Sequence, residues 1–351
     1  MPSTRQLKLV GLTFFGVALA AASLPAFAQS VADLAALSGP DRTQKLIEGA
    51  KKEGTVSIYT SITTEDMNVL VPPFEKKYGV KVRFWRASNE DILQRAVVEN
   101  RGGRYDADLF ETDGSGMEGL RRENLLQPVQ SPVFSELLPQ AVKPGAWIGT
   151  RLNIISGAFN TNAVRAGSLP KTYEDLADPK WKGKLGIEAG DTDWFATVVK
   201  SRGEEQGLAL FRDIISKNGA SVRKGHTLMA NLVASGEVPL ALTTYLYKVN
   251  QLKGTGAPLE SLLLEPLVAR VNGMGLAAKA PHPNAALLFF DYLLTDGQDI
   301  LASREFFATN IKHSNITEKL NLTFVDAGQM LDEGAKWDKL FNEIVTRQAR
   351  K

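Results

Sequence analysis

Apolar and polar positions follow two periods along this chain, and the periods take turns. Residues 41–54, DRTQKLIEGAKKEG, repeat their apolar positions at helical spacing and end on Gly54, the pattern of a helix closed by glycine. Residues 56–59, VSIY, then alternate as a strand. TEDMNVLVPPFEKKYG (64–79) predicts a second helix, with Thr64 as N-cap and Glu65 and Asp66 in its first turn. Pro72 and Pro73 predict that this helix is kinked or split. VKVRFWRA (80–87) reads as a strand, SNEDILQRAVVENRGG (88–103) as a capped helix, ADLFET (107–112) as a strand and GMEGLRREN (116–124) as a helix. Strands and helices in alternation predict a mostly parallel sheet covered by helices on both faces.

The pattern changes at residue 146. AWIGTRLNIISGAFNTNAV (146–164) reads as extended, without a helical period. A second α/β run starts at TYEDLADPKWKGKLGI (172–187). It continues through one helix at 194–215, a strand at 220–224, a helix at 226–237 and a strand at 238–247. SLLLEPLVARVNGMGLAA (261–278) is extended again, and 282–303 reads as one helix. The prediction is a two-lobed α/β protein. Residues 29–145 plus 265–300 form the first lobe and 146–264 plus 301–351 the second, joined by two extended hinge passages around an interlobe cleft.

Composition narrows the function. Arg5 and Lys8, a short apolar run from Leu9 and the AFA of residues 26–28 read as an export signal cleaved near Ala28. The apolar run is short for a membrane anchor. These 28 residues carry two of the 41 basic residues and no acidic one, so the remainder is balanced against 39 acidic residues. A neutral exported chain points away from nucleic acid and anionic membranes. With no cysteine, disulfides, thiolate metal sites and Cys nucleophiles are excluded. Only His226, His282 and His313 are present, and no nucleophile elbow, His-Glu-x-x-His or phosphate-binding loop appears. The expectation is a binder without cofactor rather than an enzyme, a secreted hydrolase being the remote reading.

Three segments carry a family resemblance: KKEGTVSIYTS (51–61), LPKTYEDLADPKWKGKLGI (169–187) and HPNAALLFFDYLLTDGQ (282–298). In order and spacing the chain resembles the periplasmic solute-binding proteins of ABC importers, in the branch named after ferric-iron-binding proteins. The resemblance implies the type II periplasmic binding fold, hinge closure on a ligand, a membrane permease as partner, a monomer and a periplasmic location.

Strand ends in such sheets face the ligand, where helix N-termini offer free N–H groups. Small hydroxyl residues and glycine gather at five of them. Ser61 and Thr63 follow the first strand, with Thr64 assigned to capping. Thr112 and Asp113 end the third strand, and Asp191, Thr192 and Trp194 follow residue 187. Gly225, His226 and Thr227 open a helix, and Thr244, Tyr245 and Tyr247 close the strand of 238–247. Each has a plainer reading: Ser, Thr and Asp as helix caps, Trp194 as core, His226 as packed or exposed. The resemblance further implies that iron-binding members grip Fe(III) through two adjacent tyrosines and an acidic residue. Tyr245 and Asp113 match two of these positions, whereas Leu246 stands at the second tyrosine, Tyr247 is displaced by one, and Thr63 lies near the family's histidine. The expected ligand is therefore a small polar solute, an organic or phosphorylated anion, with Fe(III) at Tyr245, Tyr247 and Asp113 as the alternative.

Overall fold

The computed structural model describes residues 30–142, 146–313 and 320–347; the expected export signal, 1–28, lies outside them. Strands β1 (Thr55–Thr60), β2 (Lys81–Arg86) and β3 (Leu109–Asp113) alternate with helices Thr64–Tyr78 and Asn89–Arg101 and pair in parallel in the order β2-β1-β3. After the short β4 (Leu126–Gln127) comes the long β5 (Ile148–Asn160). A second parallel block follows, from β6 (Leu185–Glu188), β7 (Ser221–Arg223) and β8 (Leu240–Tyr245). The short β9 (Leu259–Leu262), the long β10 (Leu267–Ala277) and the short β11 (Phe307–Ala308) and β12 (Leu322–Phe324) complete the set.

The main path through the sheet is β2-β1-β3-β10-β5-β8-β6-β7. Two parallel blocks are thus joined by two long strands, β5 and β10, antiparallel to each other and to the blocks they meet. Every residue of both is buried, which explains their near-continuous apolar sequence. At about 3.3 Å per residue the 13 residues of β5 span about 43 Å, enough to run from one block to the other. Each long strand feeds both cores. Leu152 and Ile154 pack with Leu46, Phe74 and Phe289 in the first, whereas Ile155 and Phe159 pack with Trp194, Phe211 and Phe341 in the second. This is the two-lobed α/β fold with crossing strands.

Several local expectations are corrected. Helix Thr64–Tyr78 is one unbroken element with Pro72 and Pro73 inside it. Met67, Leu70 and Phe74 are buried along one face, and that packing outweighs the donors the two prolines lack. Its N-cap is Thr63, not Thr64: the Thr63 hydroxyl accepts from the Asp66 N–H at 3.2 Å. The helix expected over 194–215 is two, Thr192–Lys200 and Glu204–Asn218: the first closes at Ser201, and Gly203, at φ +83°, turns the chain into the second. The one expected over 282–303 also divides, into Pro283–Leu294 and Asp296–Ser303. Leu301, Phe306 and Phe307 are buried in the first core. Helix Ala327–Phe341, unmarked by the sequence pattern, is tied to both lobes. Asp332 pairs with Arg122 of one lobe, and Glu333 with Lys200 of the other at 2.7 Å.

Candidate functional site

A cleft of 780 Å³ opens between the two parallel blocks. Its floor is the crossing strands. Arg151 and Asn153 of β5 stand two apart, as do Arg270 and Asn272 of β10, so each pair shares a face. The register sets Arg151 opposite Asn272 and Asn153 opposite Arg270. All four line the cleft as a polar plate of two guanidiniums and two amides. Asn153 donates to Asn272 Oδ1 at 3.0 Å.

On the first lobe the plate meets the turn after β1. Glu111, fully buried, accepts from the Thr60 hydroxyl at 2.7 Å and from the Ser61 and Ile62 N–H groups at 3.1 and 3.3 Å. Arg151 pairs with its other oxygen and donates to the Ser61 hydroxyl at 3.4 Å. The ion pair is 3% and 0% exposed, so it persists only through this web of hydrogen bonds. Asp113 caps helix Gly114–Arg122 by accepting from Gly116 N–H at 2.8 Å, and it also accepts from Asn89 at 2.9 Å. Burial raises its carboxyl to about 6, only partly offset by the Gly116 bond and the Arg270 charge.

On the second lobe Glu188 accepts from Gly225 N–H at 2.6 Å, which holds the turn before helix His226–Ser235 against the end of β6. Burial, and then the neighbouring Asp191 charge, raise the Glu188 carboxyl. Asp191 is buried too, but the His226 and Arg270 charges outweigh that burial and lower it. Asp191 bonds the His226 ring at 2.9 Å and Arg270 at 2.7 Å. Arg270 also pairs with Asp193 and donates to the Tyr245 hydroxyl at 2.9 Å. Above this network four rings stack in sequence. His226 lies on Tyr245 at 3.6 Å between centroids, Tyr245 on Tyr247 at 5.7 Å, and Tyr247 on Phe306 of the first lobe at 4.1 Å.

Of the residues expected from sequence, Ser61, Thr63, Asp113, Thr192, Gly225, His226, Thr227, Tyr245 and Tyr247 line the cleft. Four do not. Trp194 is core, fully buried, its indole donating to the Tyr173 hydroxyl at 3.0 Å. Thr244 turns its hydroxyl to the Ser156 carbonyl at 3.0 Å, tying β8 to β5. Thr112 is buried and donates to Asn89 at 2.9 Å. Asp191 sits behind the wall, reaching the cleft only through His226 and Arg270. Cleft residues that the strand-end rule missed include Arg151, Asn153, Glu188, Asp193, Arg270, Asn272 and Phe306. The signal available was two Arg-x-Asn triplets, RLN at 151–153 and RVN at 270–272, inside otherwise apolar strands.

The titration of Asp113 has a measurable consequence. Its folded-state pKa of about 6 lies above the ordinary 3.8, so stability gained from the protonated form is present below pH 3.8 and lost as pH rises through 6. Asp113 stands at the cleft wall, half-buried, and water there screens part of the effect. Between pH 4 and pH 7.5, urea unfolding of wild type against Asp113→Asn is expected to shift in favour of the variant by about 2 kcal/mol. A difference independent of pH would mean that Asp113 titrates like a free carboxyl.

The family model described as bacterial extracellular solute-binding protein matches residues 28–300. This chain belongs to that family. The solute-binding protein is 26% identical over 271 residues to the iron uptake protein A1 of Synechocystis, covering 72% of this chain and 74% of that one. It is 24% identical over 274 residues to the Fe(3+)-binding periplasmic protein of Serratia marcescens, covering 74% and 80%. Among solved structures, it superposes on iron-bound HitA of Pseudomonas aeruginosa with a TM-score of 0.72 at 19% identity, covering 83% of this chain and 99% of that one. It superposes on AfuA of Actinobacillus pleuropneumoniae, solved with fructose-6-phosphate bound, with a TM-score of 0.73 at 22% identity, covering 84% and 99%. The relatives by sequence named here are iron-uptake and Fe(3+)-binding proteins, and the fold of the solute-binding protein is the type II periplasmic binding fold.

Proposed function

We propose that this solute-binding protein is the periplasmic receptor of an ABC importer, and that it captures an oxygen-rich anion, organic or phosphorylated, for delivery to the permease. One observation carries the reading: Arg151 and Arg270, each no more than 6% exposed, are fixed side by side with Asn153 and Asn272 on the cleft floor. Rigid guanidiniums suit carboxylate and phosphate oxygens. Helices Thr192–Lys200 and His226–Ser235 add to this. Both begin at the cleft; the start of helix Thr192–Lys200 already holds the Asp193 carboxylate on the Trp194 N–H at 2.7 Å, whereas helix His226–Ser235 has no side-chain cap bond among the described residues, so its first N–H groups and dipole favour an anion. Hinge closure around the crossing strands sequesters the ligand from water and strengthens these hydrogen bonds.

Ferric iron is the second reading. The relatives named above favour it, and so does the presence of Tyr245 and Tyr247 on one cleft wall. Phenolates are hard donors for a hard cation. Leu246, at the family's second tyrosine, is instead buried in the first core, so the adjacent pair is broken.

Calorimetry separates the readings. Fructose 6-phosphate or citrate is expected to bind with displacement of water, whereas ferric nitrilotriacetate is expected to leave the protein colourless. A visible tyrosinate-to-iron band would transfer the conclusion to the second reading. Tyr245→Phe is expected to weaken anion binding by about 1 to 3 kcal/mol, because Arg270 loses its phenol partner and the cleft loses a donor. Unchanged affinity would remove Tyr245 from the ligand's surroundings.

A further inference from the structure

The second-lobe wall of the cleft holds more acid than one guanidinium neutralises. Glu188, Asp191 and His226 each present a ligand atom, and these atoms lie within 4.8 Å of one another. Asp193 and the Tyr245 hydroxyl join them through their shared contact with Arg270. Asp191 Oδ2 is buried and finds no hydrogen-bond partner among the described residues. Three carboxylates, an imidazole and a phenol form a hard oxygen-and-nitrogen donor set, the kind that holds ferric or first-row divalent ions. The cation found among them is the Arg270 guanidinium. It comes from β10, a fully buried crossing strand, and it touches Asp191, Asp193 and Tyr245 at once. A guanidinium keeps its charge at every relevant pH, so it does not yield its place by losing a proton. An ammonium on a flexible stem would be easier to displace.

We propose that Arg270 is a specificity-determining residue: its guanidinium fills the cation position between Asp191, Asp193 and Tyr245, beside Glu188 and His226, and bars metal ions from the cleft. The cluster then serves to fix Arg270, rather than to bind a metal, and Arg270 presents its remaining face to an anion. The proposal rests on the anion reading for the cargo, while the exclusion of metal is independent of it. A metal would have to evict a residue anchored by ion pairs to Asp191 and Asp193 and by a hydrogen bond to the Tyr245 hydroxyl.

The test loads wild type, Arg270→Gln and Arg270→Lys with ferric nitrilotriacetate, desalts them, and reads iron per chain by mass spectrometry together with the visible spectrum. Arg270→Gln is expected to retain roughly tenfold more iron than wild type and to gain a tyrosinate-to-iron band that a further Tyr245→Phe change removes. Arg270→Lys, which keeps the charge, is expected to retain less iron than Arg270→Gln. A folded Arg270→Gln with no gain in iron overturns the proposal. Should that variant not fold, wild type still decides: retention of about one iron per chain by wild type overturns it, because the guanidinium then excludes nothing. Titration of wild type with fructose 6-phosphate and citrate separates the two conclusions. Iron exclusion without anion binding sinks the anion reading alone.

Discussion

Arg151→Met is expected to destabilise the protein by about 3 to 5 kcal/mol and to abolish solute binding. The stability loss arises at Glu111, fully buried, whose charge would keep the Thr60 hydroxyl and two backbone N–H groups but lose its counter-ion. The binding loss arises because the guanidinium on the cleft floor is removed. The two effects separate in the double variant Arg151→Met, Glu111→Gln. With no stranded charge, most of the stability is expected to return, because a buried ion pair contributes little net stability against neutral groups of similar volume. Binding is expected to stay lost. Urea unfolding and calorimetry on both variants check this, and recovery of binding in the double variant would show that Arg151 serves only to neutralise Glu111.

Trp194→Ala is expected to destabilise by a similar amount, about 3 to 5 kcal/mol, with the opposite result for binding. Trp194 is fully buried against Phe211 and Tyr173, with ring centroids 5.4 and 6.0 Å away. Its removal leaves a cavity and strands the Tyr173 hydroxyl. None of this touches the cleft, so affinity per folded molecule is expected to be unchanged. A weakened affinity would place Trp194 at the cleft instead of in the core. The pair of variants thus distinguishes a buried residue that is part of the site from one that only supports the lobe.

The contrast between Arg151 and Trp194 shows what was legible in the sequence. Periodicity located the parallel strands, because alternation and helical spacing are local signals. It also located both crossing strands, whose burial along their full length leaves long apolar runs. Strand ends with hydroxyls and glycines located nine cleft residues, since loops at the carboxyl ends of parallel strands converge by topology. The same rule failed at Trp194, Thr244 and Thr112, because the direction in which a side chain turns at a strand end depends on packing from distant segments. Tyr173, Ser156 and Asn89, the respective partners, are 21, 88 and 23 residues away. The plate of Arg151, Asn153, Arg270 and Asn272 was hidden for a related reason. The two Arg-x-Asn triplets are 119 residues apart, measured from Asn153 to Asn272, and only the register of β5 on β10 makes them one surface. Helix breaks at Gly203 and Thr295 were missed because apolar spacing continues across them while the backbone does not.

Native mass spectrometry of the protein as purified, with Arg151→Met alongside, tests the central claim most directly. The account predicts that wild type carries a mass excess matching one small oxygen-rich anion, released on gentle activation, and that Arg151→Met carries none. A wild-type mass excess of a single iron, retained by Arg151→Met, would contradict it.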